Sequence, residues 1–306
     1  MSNKKNPNPR KIAGARKAPE PSRIAVIGGS GLYAMEGISN VRKIRVRTPF
    51  GDPSDAIILG RVQDVSCAFL PRHGLGHRVL PSEINGRANI WALKSLGVER
   101  IIAVGAVGSL QEKLAPRHFV FPDQLADETK GRRSTFFGEG IVAHVAFAHP
   151  FCETLSGLLY DSTRELGIPV HRGGTYICME GPAFSTKAES AMHRQLGYSI
   201  IGMTAVPEAK LAREAEICYS TMAVVTDYDC WIENEEVSVE QVIGNLSANV
   251  DNAQRVIARV LPRLNAAPRN CPCALAAAGA VFTRPGSIPP KARKRLELIV
   301  GKYLPH

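Results

Sequence analysis

The chain has 306 residues, 44% apolar and 22% charged, which is enough apolar material for a large buried core and too much for a disordered chain. No apolar run nears the roughly 18 residues that span a bilayer and the N-terminus lacks the apolar stretch of a secretory signal; the seven cysteines, at 67, 152, 178, 218, 230, 271 and 273, form no disulfide framework in a chain this long. A cytoplasmic protein is expected, and its formal charge of +10 sits at the ends: residues 1–23 hold seven Lys/Arg against Glu20 and residues 284–306 hold six against Glu297, so the remainder lacks the basic excess that nucleic-acid binding needs.

Residues 1–22, with Pro7, Pro9, Pro19 and Pro21 among Lys, Arg and Asn, offer nothing to bury and read as a disordered basic tail. Order begins at Ile24, where a four-residue apolar run ends at Gly28-Gly29-Ser30-Gly31, the pattern of a buried strand opening into a tight loop. Further strand-like runs lie at 56–59, 65–70, 101–104, 119–121, 177–179, 200–203 and 217–226, several bounded by Gly or Pro. Helical spacing predicts helices at 84–96, 151–166, 186–196 and 207–217, with Thr186 and Glu189 at capping-box spacing and Pro207 suited to a first turn. The clearest helix covers 238–261, where Ser238 and Gln241 fit a capping box and Val239, Val242, Ile243, Leu246, Val250, Ala253, Ile257 and Val260 form one stripe. Strands alternating with helices predict an α/β fold around a central mixed or parallel sheet. The stretch 266–290, rich in Pro, Ala and Gly, breaks the pattern before a last basic helix at about 291–303.

The chemistry-bearing residues cluster where strands end. Gly28-Gly29-Ser30-Gly31 can cradle a phosphate with backbone N–H groups and the Ser30 hydroxyl, although it matches neither the dinucleotide fingerprint nor the Walker loop. Arg72-His73 follows a strand through Pro71 and offers a guanidinium fork and an imidazole. Ala106-Val107-Gly108-Ser109 ends another strand in small residues. The stretches 179–185 and 202–208 place acidic, hydroxyl and apolar groups at strand-to-helix junctions, as a pocket for a polar ring requires. In Thr226-Asp227-Tyr228-Asp229-Cys230-Trp231 two carboxylates lack a neighbouring Lys or Arg, the setting in which a carboxyl pKa rises toward that of a general acid. No metal site is expected: Cys271-Pro272-Cys273 lacks a second matching ligand pair and the eight histidines form no His-Glu-x-x-His helix. Cys271 and Cys273 read instead as a local redox pair, and the other five thiols as mostly buried structural ones.

Taken together, 28–33, Arg72-His73, 106–110, 180–185, 203–208 and 226–231, with Thr48-Pro49-Phe50-Gly51 and 88–94, resemble the methylthioadenosine phosphorylase branch of the trimeric purine nucleoside phosphorylase family over about residues 24–262. The resemblance implies a single-domain nucleoside phosphorylase-like fold at 23–265, with a central mixed sheet flanked by helices, followed by a C-terminal extension at 266–306. It implies attack by inorganic phosphate on C1′ of a nucleoside, releasing the purine, with phosphate as co-substrate and no cofactor. Residue by residue, it assigns Ser30, Arg72, His73, Ala106 and Thr204 to phosphate, Met203 to the ribose, and Phe184 and Ser185 to the purine pocket. Asp227 is the expected acid at N7 and Asp229 its support at the 6-amino group. His144 is expected to reach a neighbouring subunit's 5′ pocket in a homotrimer or dimer of trimers, with Val237, Val239 and Val242 as an apolar wall. Gly105 departs from the family, which often carries a hydroxyl there, and the Cys271-Pro272-Cys273 segment and basic helix have no clear counterpart in the animal enzymes. The competing readings are a 6-oxopurine nucleoside phosphorylase, which places Asn and Glu at the positions of Asp227 and Ser185, and a nucleic-acid-binding protein using the basic tails.

Overall fold

The computed structural model describes residues 22–33, 37–233 and 238–305. Residues 1–21 of the expected tail, Val237 and the side chains of Ser30 and Gln241 lie outside that description. In chain order the elements are β1 (Ile24–Gly28), β2 (Ser39–Ile44), β3 (Ile57–Val62), β4 (Val65–Pro71), α1 (Gly86–Ser95), β5 (Arg100–Ser109), β6 (Phe119–Phe121), β7 (Gln124–Asp127) and α2 (Glu153–Glu165). They continue with β8 (Val170–Arg172), β9 (Thr175–Cys178), α3 (Lys187–Gln195), β10 (Ile200–Gly202), α4 (Ala205–Glu214), β11 (Cys218–Asp227), α5 (Val239–Ala266) and α6 (Pro290–Val300). The strands join in one mixed sheet with the path β2-β3-β4-β1-β5-β10-β9-β7, from which β11 branches at β5 and carries β6 and β8. This is the α/β architecture with a central mixed sheet that the alternation of apolar runs predicts.

The central strands are apolar on both faces because helices cover both. Along β1, Ala25 and Ile27 join one core with Leu93 of α1, Leu211 of α4 and Leu296 of α6, whereas Ile24 and Val26 join another with Leu155 of α2 and Ile257 and Leu261 of α5. Along β5, Ile101 and Ala103 again part from Ile102 and Val104, the period of two that a pleated strand imposes. Ala292, Leu296, Ile299 and Val300 of α6 are buried in the first core, so the C-terminal extension is packed into the body. Three of its basic residues are partnered as well: Arg295 pairs with Glu139, Lys302 with Glu216, and Arg293 donates to the carbonyl of Pro305.

Where the sequence expectations differ from the fold, the cause is local. The strands β2, β7 and β8 lack apolar runs because they are short or mostly exposed. The Thr186 and Glu189 capping box forms as expected, with Glu189 N donating to Thr186 Oγ1 at 3.2 Å and Thr186 N to the Glu189 carboxylate at 2.8 Å. In α4 Val206 is extended (φ −106°, ψ 131°), so regular helix starts at Pro207. Helix α5 outlasts its expected end at 261, passing through Pro262 to Ala266. The first turns of its stripe stay uncovered, with Val239 and Ile243 each 57% exposed.

Glu214 at the end of α4 accepts from Thr135 Oγ1 and from Phe136 N, both at 2.7 Å. Burial outweighs these bonds and raises its pKa to about 7. A carboxyl raised in the folded state stabilises fully below its unfolded pKa, near 4.5, and that contribution is lost as pH rises through 7. The Glu214 contribution to stability is therefore expected to fall by about 2–3 kcal/mol between pH 5 and pH 8. Denaturant titrations of the wild type and of Glu214→Gln check this: every other titrating group is shared, so the stability of the wild type relative to the variant, which cannot ionise there, should fall by that amount over the same interval.

Candidate active site

Strand direction gathers the site. β1 is parallel to both β4 and β5, and β5 is parallel to β11, so the residues after Gly28, Pro71 and Asp227 and the end of β5 emerge at one edge of the sheet, where open α/β sheets hold ligands. β10 runs antiparallel to β5, with Ile201 opposite Gly108. The chain leaving β10 therefore turns back along β5 and brings Thr204 to Gly105. A Cβ at position 105 would lie 3.3 Å from Thr204 Oγ1 and 3.8 Å from Arg72 Nη1, so the absent side chain leaves room between a hydroxyl and a guanidinium.

Arg72 is buried, and its Nε and Nη2 donate to the two oxygens of Glu208 at 2.6 and 3.1 Å while Nη1 donates to Val104 O at 2.7 Å. Burial acts against the charge, but Glu208 outweighs it and holds the Arg72 pKa above its ordinary value. Of the guanidinium's five N–H groups three are used, which leaves two for an anion. Tyr219 donates to Glu208 Oε2 at 2.9 Å and completes the support behind Arg72. Beside it, His73 places Nδ1 2.9 Å from the carbonyl of Val79 and stacks on His77. Burial, aided by the Arg72 charge, lowers its pKa to about 4. The ring is thus neutral at pH 7 with its proton on Nδ1, because a carbonyl only accepts, and Nε2 is an acceptor rather than the donor a cationic His would offer. Ser30 opens the 3-10 turn Ser30–Tyr33. That turn is tied to α5 by Gln254 Nε2 donating to Gly31 O at 2.7 Å, and Arg72 N donates to Gly28 O at 3.0 Å. Ala106 lies in the last half of β5.

The second half of the site is built around the end of β11. Asp227 is buried, and its carboxylate accepts from Thr226 Oγ1 at 2.7 Å and from Asp229 N at 2.9 Å. Burial, joined by the Asp229 charge, raises its pKa against those two hydrogen bonds. Thr226 also lies 3.3 Å from Val107 O. A protonated Asp227 can therefore donate to Thr226, whose own proton then serves Val107, and every group stays satisfied. Asp229 adopts a positive φ of 52° and holds a buried Oδ2 with no hydrogen-bond partner among the described residues. The Oγ of Ser185 is likewise buried and unpartnered, and Cys230 Sγ donates to Ser185 O, which joins the two loops. Buried polar atoms without a protein partner on two joined loops can be satisfied by a polar ligand. Trp231 anchors this loop through Nε1 to Ser109 O at 2.7 Å, and Phe184 is exposed at the rim.

The sequence profile of the Phosphorylase superfamily matches residues 23–262. The chain belongs to the phosphorylase superfamily. An S-methyl-5′-thioadenosine phosphorylase of Geobacter sulfurreducens is 55% identical across 92% of this chain and 99% of its own length, and one of Chloroflexus aurantiacus is 54% identical across 92% and 98%. Among solved structures, a methylthioadenosine phosphorylase from an Antarctic soil metagenomic library superposes with a TM-score of 0.88 at 48% identity, covering 91% of this chain and 98% of its own. The methylthioadenosine phosphorylase of Schistosoma mansoni in complex with adenine gives 0.77 at 39% identity, over 81% and 93%.

One residue of this phosphorylase superfamily site escaped the sequence reading. Arg132 comes from a loop without a motif, yet its side chain is 4% exposed and donates to Met203 O and Val206 O at 2.7 Å and to Glu180 O at 2.7 Å, with Nε on the Glu180 carboxylate at 3.1 Å. It fastens the 179–185 loop to the turn after β10, where the thioether of Met203 packs against Gly181. The only signal would have been an Arg among polar loop residues, which periodicity does not rank. Arg132→Ala takes this donor from four carbonyls and leaves the Glu180 carboxylate to Lys130 N, so kcat/KM is expected to fall by at least about 10² while the melting temperature drops by several degrees. Steady-state kinetics with calorimetry checks this; unaltered nucleoside KM would show that the two loops do not depend on Arg132.

Among the described residues, no hydrogen bond or ring contact ties the remaining expected residues to Arg72 or Asp227. His144 is exposed, its N donates to Ala280 O at 2.9 Å and its ring meets Phe282 edge-on. Val239 and Val242 lie on the uncovered first turns of α5, which Asn245 links to β11 by donating to Thr226 O at 2.6 Å. The expectation that Cys271-Pro272-Cys273 lacks a second ligand pair is corrected by the fold: the Sγ atoms of Cys152, Cys218, Cys271 and Cys273 all lie within 4.8 Å of one another. Residues 53 and more positions apart in sequence were brought together by tertiary packing alone.

Proposed function

We propose that this phosphorylase superfamily member catalyses phosphorolysis of S-methyl-5′-thioadenosine, a pentosyl transfer that yields adenine and 5-methylthioribose 1-phosphate for purine and methionine salvage. The observation that carries the reading is the pairing, at one sheet edge, of an anion subsite with a buried carboxyl of raised pKa. The relatives bearing this name, alike across nearly their whole length, support the choice of nucleoside.

Phosphate sits between the two free N–H groups of Arg72, Thr204, Ser30 and the backbone at Ala106, and its P–OH donates to Nε2 of the neutral His73. So oriented, an oxygen attacks C1′ as the glycosidic bond lengthens through an oxocarbenium-like transition state. Met203 supports the ribose. Negative charge grows on the departing base, and Asp227 gives its proton at N7 while the open Oδ2 of Asp229 accepts from the 6-amino group. Ser185 and Phe184 close the purine pocket. Phosphate is the co-substrate, and no step calls for a metal or organic cofactor.

Phosphate-dependent base release from methylthioadenosine, adenosine, inosine and guanosine tests the reading. Methylthioadenosine should lead; dominance by inosine and guanosine would instead select the 6-oxopurine enzyme, against which Asp227 and Ser185 stand.

The 5′ substituent is assigned to Val239, Val242 and a neighbour's His144 in a homotrimer or dimer of trimers. The exposure of His144, outside the Arg72 and Asp227 cluster, supports this. Mixing inactive His144→Ala and Asp227→Asn chains is expected to restore activity, because some shared pockets then hold both native residues. No recovery, with subunit exchange shown independently, refutes the shared site.

A further inference from the structure

The four clustered thiols come from three places in the fold. Cys152 precedes α2, Cys218 opens β11, and Cys271 and Cys273 bracket the start of the 3-10 turn Pro272–Leu275. Cys152, Cys218 and Cys273 are buried and Cys271 half-buried, and all four are free thiols. Backbone bonds fix their carriers: Cys152 N donates to Tyr219 O at 2.8 Å, and Cys218 N to Glu99 O at 2.9 Å.

Each sulfur lies within 4.8 Å of the other three, and the Cys218 and Cys271 sulfurs are 3.2 Å apart. Sulfurs at about 2.3 Å from a tetrahedral ion are separated by about 3.8 Å. The 3.2 Å pair lies below that edge length and no pair exceeds it by more than about 1 Å, so shifts of about 1 Å at most close the tetrahedron. Two cations face the cluster. Arg269 Nε donates to Cys218 Sγ at 3.4 Å, and Arg213 Nη1 approaches Cys273 Sγ at 4.0 Å. Both are held in place, Arg269 by Glu216 O and Arg213 by His149 O. A divalent ion with four thiolates carries a net charge of −2, which two arginines neutralise.

We propose that Cys152, Cys218, Cys271 and Cys273 form a closed tetrathiolate site for a structural zinc-class divalent ion. Binding exchanges four thiol protons for one metal ion, with no change of oxidation state. Four protein sulfurs leave no open position for substrate or water, and thiolates select zinc over harder cations. The site stands at the start of β11 and Asp227 at its end, nine residues on, which is about 30 Å along a strand. The ion therefore holds the fold together and takes no part in the transfer.

Its effect falls on the C-terminal extension. The clamp secures the chain just before the stretch in which Ala280 O accepts from His144 N and Phe282 N donates to Val142 O. Without it, that stretch is tied to the sheet by fewer bonds.

The test uses the full chain, produced with zinc supplied and purified under reducing conditions. Elemental analysis should find about one zinc per chain, and replacement by Co(II) should give the intense sulfur-to-cobalt charge-transfer and visible bands of a tetrahedral thiolate site. Cys271→Ser and Cys273→Ser should each lose most of the metal and lower the melting temperature, while Cys67→Ala, a buried thiol elsewhere, keeps a full complement. Cys271 is half-buried, so Cys271→Ser is the variant least prone to misfold. Metal-free protein with four titratable thiols, metal-free protein with two disulfides among these cysteines, or zinc retained by both Ser variants would each overturn the proposal.

Discussion

Asp227→Asn is expected to lower kcat for methylthioadenosine by about 10² to 10⁴, the usual worth of a general acid. The amide keeps the size of the side chain and can still accept from Asp229 N at one oxygen, but has no acidic proton for N7. The nucleoside KM should move far less. The amide also offers an N–H to a 6-oxo group, so the ratio of inosine to adenosine activity should rise even if both rates are poor. Rates and ratio unchanged in Asp227→Asn but abolished in Asp229→Asn would move the acid to the second carboxylate.

Arg72→Ala should cut kcat/KM for phosphate by about 10³, or roughly 4 kcal/mol, because a desolvated charge facing the anion is removed. It should also cost about 3–5 kcal/mol of stability, since Glu208 is left buried with Tyr219 as its remaining partner. The two losses separate in the double variant Arg72→Ala/Glu208→Gln. Neutralising the stranded carboxylate recovers much of the stability, whereas phosphate affinity stays poor. Recovery of phosphate KM in the double variant would show that Arg72 only braces Glu208 and never touches the anion.

Much of the candidate site's composition is marked in the sequence because it lies where apolar runs stop. A buried parallel strand needs a continuous apolar run, and the residue after it must leave the sheet; Arg72 after Pro71 and Asp227 after Thr226 are marked by that change alone. The capping box at Thr186 was legible for a similar reason, as its hydrogen bonds span three residues. The stripe on α5 was visible too, but burial begins only near its middle, since pattern specifies a face and not what covers it.

The sequence by itself therefore determined the alternation of strands and helices, the α/β class, and the strand ends at which charged groups emerge. All of these rest on contacts within a few residues. Tertiary structure decided the rest: the antiparallel course of β10 that sets Thr204 beside Gly105, the Glu208 carboxylate 136 residues from the Arg72 it holds, Arg132 as the fastener of two loops, and the meeting of four cysteines. Local periodicity carries no record of which distant segments pack together; that is fixed only when both faces of the sheet are buried and each buried polar group must find a partner.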